Sequence, residues 1–472
     1  RSSEMHALAL HDALPICGNM AKILEVLTIA GAECLVFDIE YLENSPMSVN
    51  RQYLNNGLPQ DFSIAFADIG DNIEYSFSLL KERQTTIDEI MPMLIDSVAD
   101  TKNTLLRASQ KVAVENDVYL GQAMRLFGRA SVTLNLQEKK REAGLQNEAL
   151  KAYAAENFSY PGVGGKFPWK GSSVDFLVPI QEISSMAMSA GFTNVTIDPD
   201  GVRRRIRLVE KVGDRYYTQL AFTPLMYLLG KPEIELQNHT IIVKNAKLDG
   251  KPETIKIPMD ADGNMIIHWP KKKYAESFAH ISAIEILDIA DKEEALLAIL
   301  QSIRTSKLWA YGSSGYQPIE EALGAYNAMT EAKDSALSSG SAEDKTAWLS
   351  GRGAALETIQ AFIDGGFDKE ILANIGALKA DKATLDGLLA EGEYLKKLSD
   401  ELSSTFKLYL ANLETVRKKV SGKFCITGWT AAATTDIGVN PFEEKYVNVG
   451  THAAVVNRSE ERRVGKECRS RW

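Results

Sequence analysis

Residues Ala190–Gly230 read AGFTNVTIDPDGVRRRIRLVEKVGDRYYTQLAFTPLMYLLG, and their chemistry runs strand, turn, strand, turn, helix. Phe192, Val195 and Ile197 are apolar positions leading into Asp198-Pro199-Asp200-Gly201. There proline presets φ, aspartate caps the turn and glycine takes the positive φ that closes it. Val202, Arg204, Ile206, Leu208 and Val209 follow mainly at alternate positions, as a half-buried strand requires. Gly213-Asp214 predicts a second turn. Beyond Tyr216-Tyr217, the residues Leu220, Phe222, Leu225, Met226, Leu228 and Leu229 crowd a helical face that Gly230 terminates. Arg203, Arg204, Arg205 and Arg207 straddle both faces of the strand. They read either as solvated strand-face charges pairing with Asp198 or Asp200, or as a pocket for an anionic ligand.

Upstream, Met20–Ala30 reads as a helix with Met20, Ile23, Leu24 and Leu27 on one face and Gly31 at its end. Cys34–Ile39 is a continuous apolar run, the pattern of a parallel strand buried on both faces. Asp38 then closes that strand, and the carboxyl ends of parallel strands open into the crevice where α/β folds place ligands. Ile73–Val114 reads as helical, with Phe77, Leu80, Ile87, Ile90, Leu94, Val98 and Leu105 spaced by three, four and seven, and Pro92 kinking or breaking it. A strand is expected at Ser131–Leu136, and residues 138–178 read as a surface excursion rich in glycine and aromatics. Short strands follow at Thr240–Lys244, Thr254–Ile257 and Met265–Trp269, with a turn at Pro258–Gly263. Residues 290–420 are helical. Leu388, Leu395, Leu402, Tyr409 and Val416 recur every seven residues, a seam suited to a neighbouring helix. Phe424–Gly428 is a strand and turn.

Several of these residues together resemble the CHASE type-two domain, an extracytoplasmic sensory module found ahead of cyclases, histidine kinases and serine/threonine kinases. In the central stretch they are Ala190-Gly191, Asn194, Asp198, Asp200-Gly201, Arg204, Leu208, Tyr217 and Leu220-Ala221. Gly31-Ala32 and Val36-Phe37-Asp38 match near the start. Gly428, Thr430-Ala431, Asp436, Asn440-Pro441, Val449-Gly450, His452-Ala453 and Asn457 match near the end. Trp429 stands where the family has a small residue, Asn440 precedes the proline, and the helical stretches about 73–114 and 290–420 have no counterpart.

The resemblance implies an α/β fold, a mixed sheet with flanking helices plus large all-α insertions, whose sensor domain covers 17–289 and 421–457. It implies a ligand- or partner-sensing part of an inner-membrane protein, on the periplasmic side, with transmembrane helices expected beyond Asn457. The cytoplasmic output domain would be a class III adenylate or guanylate cyclase, or a kinase. Candidate ligand-binding residues are Asp38, Asn194, Asp200, Arg204 and Asp436. No catalytic residue, metal or cofactor is expected. The partner is an unknown small ligand or extracytoplasmic protein, and the helical insertion Asp291–Val420 offers a route to a homodimer.

Two other readings stay open. Asp38 and Asp436, the latter on a loop after another strand, form a carboxylate pair for a secreted or cytosolic hydrolase. More simply, Asp38 caps a turn and Asp436 satisfies loop amides. Alternatively the chain is a helical interaction scaffold. Against a hydrolase stands the lack of GxSxG, HExxH or a cysteine with a placed histidine.

Composition narrows the field. The formal net charge is −10, which disfavours nucleic acid and anionic membrane surfaces. No run approaches 18 apolar residues, so the membrane enters only through missing segments. Cys34 and Cys425 lie in apolar runs and read as small buried hydrophobes, not a disulfide framework. Asp260-Ala261-Asp262-Gly263-Asn264 places glycine at loop position four and Lys271 at twelve, unlike a calcium loop. His239, His268, His280 and His452 lack zinc-site spacing. Gly162–Lys166 lacks the phosphate-loop spacing. His11–Ile16 and Arg458–Trp472 look like translated sequencing-library adapters, so residues 1–16 and 458–472 are set aside from the fold.

Overall fold

Helix α1 (Ile16–Ala30) ends where the N–H groups of Gly31 and Ala32 return to the carbonyls of Thr28 and Leu27, at 3.1 and 3.0 Å. Met20, Ile23, Leu24 and Leu27 are all buried, the face expected from their spacing. Strand β1 (Cys34–Phe37) follows, buried at every position. The computed structural model describes residues 16–50, 53–140, 147–171, 173–248, 250–269, 276, 279–421, 425–428 and 453–457. They divide into two compact units, Ser45–Tyr119 with Arg1–Gly18, and Asn19–Asn44 with Leu120–Trp472.

The first unit is a helical hairpin closed at its base. Strand β2 (Ser48–Val49) precedes helix α2 (Leu58–Lys81), which turns into α3 (Ile87–Gln110) and returns to β3 (Ala113–Val114), the antiparallel partner of β2. Asn116 and Asp117 lock this base. Asn116 accepts from the Ser48 hydroxyl and donates to the Pro46 carbonyl, while Asp117 accepts the Ser45 N–H at 2.7 Å. The hairpin differs from the helical stretch expected over 73–114 with a kink or break at Pro92: it starts at Leu58 and breaks at 82–86. Glu89 accepts the Thr86 N–H at 3.0 Å, starting α3 afresh. Pro92 is then carried inside α3.

In the second unit, α4 (Asn116–Phe127) leads from the hairpin into β4 (Ala130–Gln137). The stretch 138–178, expected as a surface excursion, instead contributes α5 (Glu148–Asn157), β5 (Val163–Gly164) and β6 (Asp175–Leu177). It also buries Tyr160 and Trp169. Its glycines let the backbone fold onto a core that its aromatics fill. A short helix, α6 (Gln181–Ser184), precedes β7 (Ser189–Phe192). Next come β8 (Arg205–Arg207), β9 (Val209–Val212), β10 (Arg215–Thr218) and α7 (Phe222–Leu228). The hairpin of this region is therefore β9–β10 around Gly213, while 192–197 meets the next strand at a single bridge, Thr196 to Arg205. Phe192 is held in the main sheet instead.

Strands β11 (Glu233–Gln237), β12 (Thr240–Leu248) and β13 (Lys251–Pro258) form an antiparallel meander to which β5 adds in parallel. Strand β14 (Asn264–Ile266) pairs with β8. Ile206, Leu208, Phe222, Met226, Ile234 and Ile241 share one core with Tyr160 and Trp169. Gly263 (φ +82°) lies against the Trp169 ring, where a Cβ would come within 2.4 Å of a ring carbon.

Strand β15 (Ala279–Ser282) opens the helical part: α8 (Ala283–Arg304), α9 (Gln317–Ser339), α10 (Ala342–Asp364), α11 (Phe367–Gly376) and the 39-residue α12 (Lys382–Val420). Its helices thus begin at 283, not 290. The chain then returns to the main sheet through β16 (Cys425–Gly428) and β17 (Ala453–Asn457). The parallel order is β15-β16-β17-β1-β4-β7, with β6 antiparallel to β4. Of the heptad seam of α12, Leu395, Leu402, Tyr409 and Val416 are buried and Leu388 is half-buried. The chain's own α8 packs against that helix, so the seam is filled from within.

Candidate functional site: the carboxyl edge and the signature turn

The carboxyl edge of the parallel sheet is shaped by the path the chain takes out of β1. Consecutive residues of β4 point their main-chain groups to opposite edges. Gln137 accepts the Val174 N–H on the edge β1 occupies lower down, so β6 takes over β4 where β1 stops. The chain leaves β1 there. Thr133 donates to the Ile39 carbonyl at 2.8 Å and the Ile180 N–H donates to Tyr41 at 2.7 Å, with Ile39 and Tyr41 buried. Asn135 reaches Glu40 at 2.7 Å.

Asp38 is half-buried at the start of this crossing. Its register places it one step beyond the Phe37–Val456 pair, at the junction of β1 with β17. These neighbours come from opposite ends of the chain, the setting in which open α/β sheets leave a crevice. Asp436 lies outside the described residues, so nothing places it opposite Asp38. Cys34, also on β1, is a buried free thiol whose pKa burial pushes up to about 11, which keeps it an unreactive hydrophobe.

Asn194 has a structural engagement. Its amide accepts the Leu136 N–H and donates to the Leu136 carbonyl, both at 2.9 Å. A side chain thereby prolongs the β7 ladder along β4 by one step. Gly191 serves the same join: a Cβ there would fall 2.5 Å from Leu220 Cα, so only glycine lets β7 pass this close to the entry of α7.

Asp200 and Arg204 are brought together, at 2.7 Å across the turn, and Asp198 lies 3.4 Å from the same guanidinium. Hydrogen bonding from Arg204, with the Val202 N–H, holds the exposed Asp200 carboxyl below its usual value. The neighbouring arginines are engaged likewise. Arg205 bridges Asp198 at 3.5 Å and Asp260 at 3.2 Å, and Arg207 pairs with Glu210 and donates to the Asp262 carbonyl at 2.6 Å. Asp260 in turn accepts the N–H groups of Asp262 and Asn264 at 3.0 and 2.8 Å. The arginine cluster thus clamps the 198–204 turn to the loop before β14. Asn194 bonds to β4, not to this clamp.

Sequence reasoning did not find the Glu40–Asn135 contact or the ionic cluster within the bundle, where Arg352 meets Glu293 at 2.7 Å and Tyr409 donates to the same carboxylate at 2.9 Å. The available signal was an arginine among the apolar residues of α10. Among the described residues no three His, Cys, Asp or Glu side chains gather as a metal site, and no helix is long and apolar enough to cross a membrane.

The arrangement is that of an α/β module in which Arg204, Arg205 and Arg207 and the carboxylates around them are taken up by its own turns. A family model described as the CHASE2 domain matches residues 17–308. The chain belongs to that family, the extracellular sensor domains of signalling proteins. Its role is sensory and not catalytic, which displaces the hydrolase reading. No curated protein and no solved structure matches the chain.

Proposed function

We propose that the chain is the sensing part of a membrane signalling protein, standing on the periplasmic side of an inner membrane and controlling a cytoplasmic output domain, by preference a class III adenylate or guanylate cyclase. The observation that carries this reading is the family match over residues 17–308. The ligand is received at the carboxyl edge beside Asp38, with Asp436 as the second candidate ligand residue, while Asn194 extends the β7 ladder along β4 and Asp200 with Arg204 holds the 198–204 turn in shape. A ligand seated at the β1–β17 junction contacts strands from both ends of the chain. It therefore biases two packings of the sheet, and the stretch after β17 carries the difference onward.

The test is to recover the natural DNA beyond codon 457 and translate it. Apolar spans of about 20 residues followed by a cyclase domain are expected. A stop codon or a polar continuation overturns the reading.

A further inference from the structure

The α2–α3 hairpin leaves many of its large apolar side chains outside. Its inner seam mixes small, polar and apolar residues: Ala65, Ser76, Ile90 and Ala108 are buried, and Asn72 donates to Ser97 at 3.0 Å. Large apolar side chains remain outside. Phe66, Ile73 and Phe77 on α2 are 59%, 39% and 62% exposed, and Met91, Ile95 and Val98 on α3 are 51%, 60% and 55% exposed.

These six share one face. At about 100° per residue, Phe66, Ile73 and Phe77 lie about 60–120° round from the buried Ala65 and Ser76, and Met91, Ile95 and Val98 lie about 80–140° round from the buried Ile90. In an antiparallel pair, equal rotation from each seam leads to the same side. The same measure turns Asp68, Asp71, Asp96 and Asp100 to the opposite flank.

We infer that this face is a homodimer interface, in which the hairpins of two copies close into a four-helix bundle. Two observations favour a second copy. Each helix has 24 residues, about 36 Å. Two helices side by side present a face of roughly 700 Å², so a pair buries about 1,400 Å², the size of a stable specific interface. That area also exceeds the apolar patch a typical monomer leaves bare. The charge points the same way. Residues 58–110 hold nine acidic against four basic residues, with Asp88 at the rim of the face beside Ile95. Helices that lie on anionic lipid carry the reverse balance on their polar side. The seam of α12, which sequence periodicity offers for dimerisation, is already filled by α8, whereas this face is bare. The inference is independent of which output domain the protein carries.

The test is sedimentation equilibrium of the full 472-residue chain at micromolar concentration, with flotation on phosphatidylcholine vesicles alongside. The 52.0 kDa chain should sediment at twice its mass. Phe66→Glu with Ile95→Glu should weaken the dimer by at least ~100-fold while circular dichroism stays unchanged, because the new carboxylates lose solvent on association. Ile64→Glu with Met93→Glu, exposed positions on the opposite flank, should leave the dimer intact. A monomeric wild-type chain, a chain that floats with the vesicles as a monomer, or a dimer that both double variants affect alike overturns the inference.

Discussion

Replacing Arg352 by alanine should destabilise the helical bundle by about 3–5 kcal/mol, the usual cost of orphaning one partner of a buried ion pair. The guanidinium is only 4% exposed and lies 2.7 Å from Glu293, itself 18% exposed. It also sits over the Tyr409 ring, 5.4 Å from its centroid. At the Glu293 separation the bare attraction is about 6 kcal/mol for an effective dielectric of about 20, and desolvating both charges offsets much of it. Without Arg352, Glu293 keeps, among the described residues, the Tyr409 hydroxyl at 2.9 Å as a side-chain donor, at a position 18% exposed. The cost is therefore set by the carboxylate left behind. Arg352→Met with Glu293→Gln removes both charges at similar volume and should restore at least ~2 kcal/mol of the loss. Urea unfolding followed by far-ultraviolet circular dichroism measures each variant. A cost below about 1 kcal/mol for Arg352→Ala, or strictly additive effects of the two positions, would rule out a buried ion pair of this kind, since residues that share a network must couple.

The sheet and the signature turn carry further expectations. Asn194→Ala removes two hydrogen bonds to Leu136 and should cost about 1–3 kcal/mol, with faster amide exchange at Leu136 as the local readout; unchanged exchange contradicts the ladder-extending role. Gly191→Ala forces a methyl to within 2.5 Å of Leu220 Cα and should destabilise by about 1–3 kcal/mol in thermal unfolding, whereas a neutral result means β7 is free to shift. For Asp260, burial pushes the carboxyl up, but the N–H groups of Asn264 and Asp262, with Arg205, outweigh it and hold the pKa below its ordinary value near 3.8. A depressed carboxylate contributes stability that is present above the ordinary value and lost as pH falls through the folded one. Asp260→Asn should therefore be less stable than wild type near neutrality, with the gap closing below pH 3.8; a constant gap in melting temperature counts against the ion-pair account.

The central strand and its helix were legible because burial on both faces leaves a run such as Cys34–Phe37 with no polar position, and because Gly31 marks a helix end by its own chemistry. The turn residues Asp198–Gly201 were legible for the same local reason. Pairing was not. Which edge of β4 accepts β6 or Asn194 depends on contacts some 40 to 60 residues away, and no local pattern encodes them. The hairpin start at Leu58 was missed because there Phe62, Ile64 and Phe66 stand exposed while Ala65 is the residue turned inward, so no apolar period marks a buried face. The α12 seam was read correctly as a helix contact, but periodicity does not say whether the partner is another molecule or α8. At the candidate site, the placement of Asp38 came from the rule about strand ends. The role of Asn194 as a ladder extension came only from coordinates, since an asparagine in a turn looks alike whether it meets ligand or main chain.

The proposed function of this sensor domain depends on its working outside the cytoplasm. Alkaline phosphatase folds actively only in an oxidising compartment, so a fusion joined after Asn457 in the natural full-length gene reports the location of that point. Strong phosphatase activity, with a fluorescent-protein fusion at the same position dark, is the expected outcome. An inactive phosphatase with a bright fluorescent fusion would place the domain in the cytoplasm and contradict the proposed function.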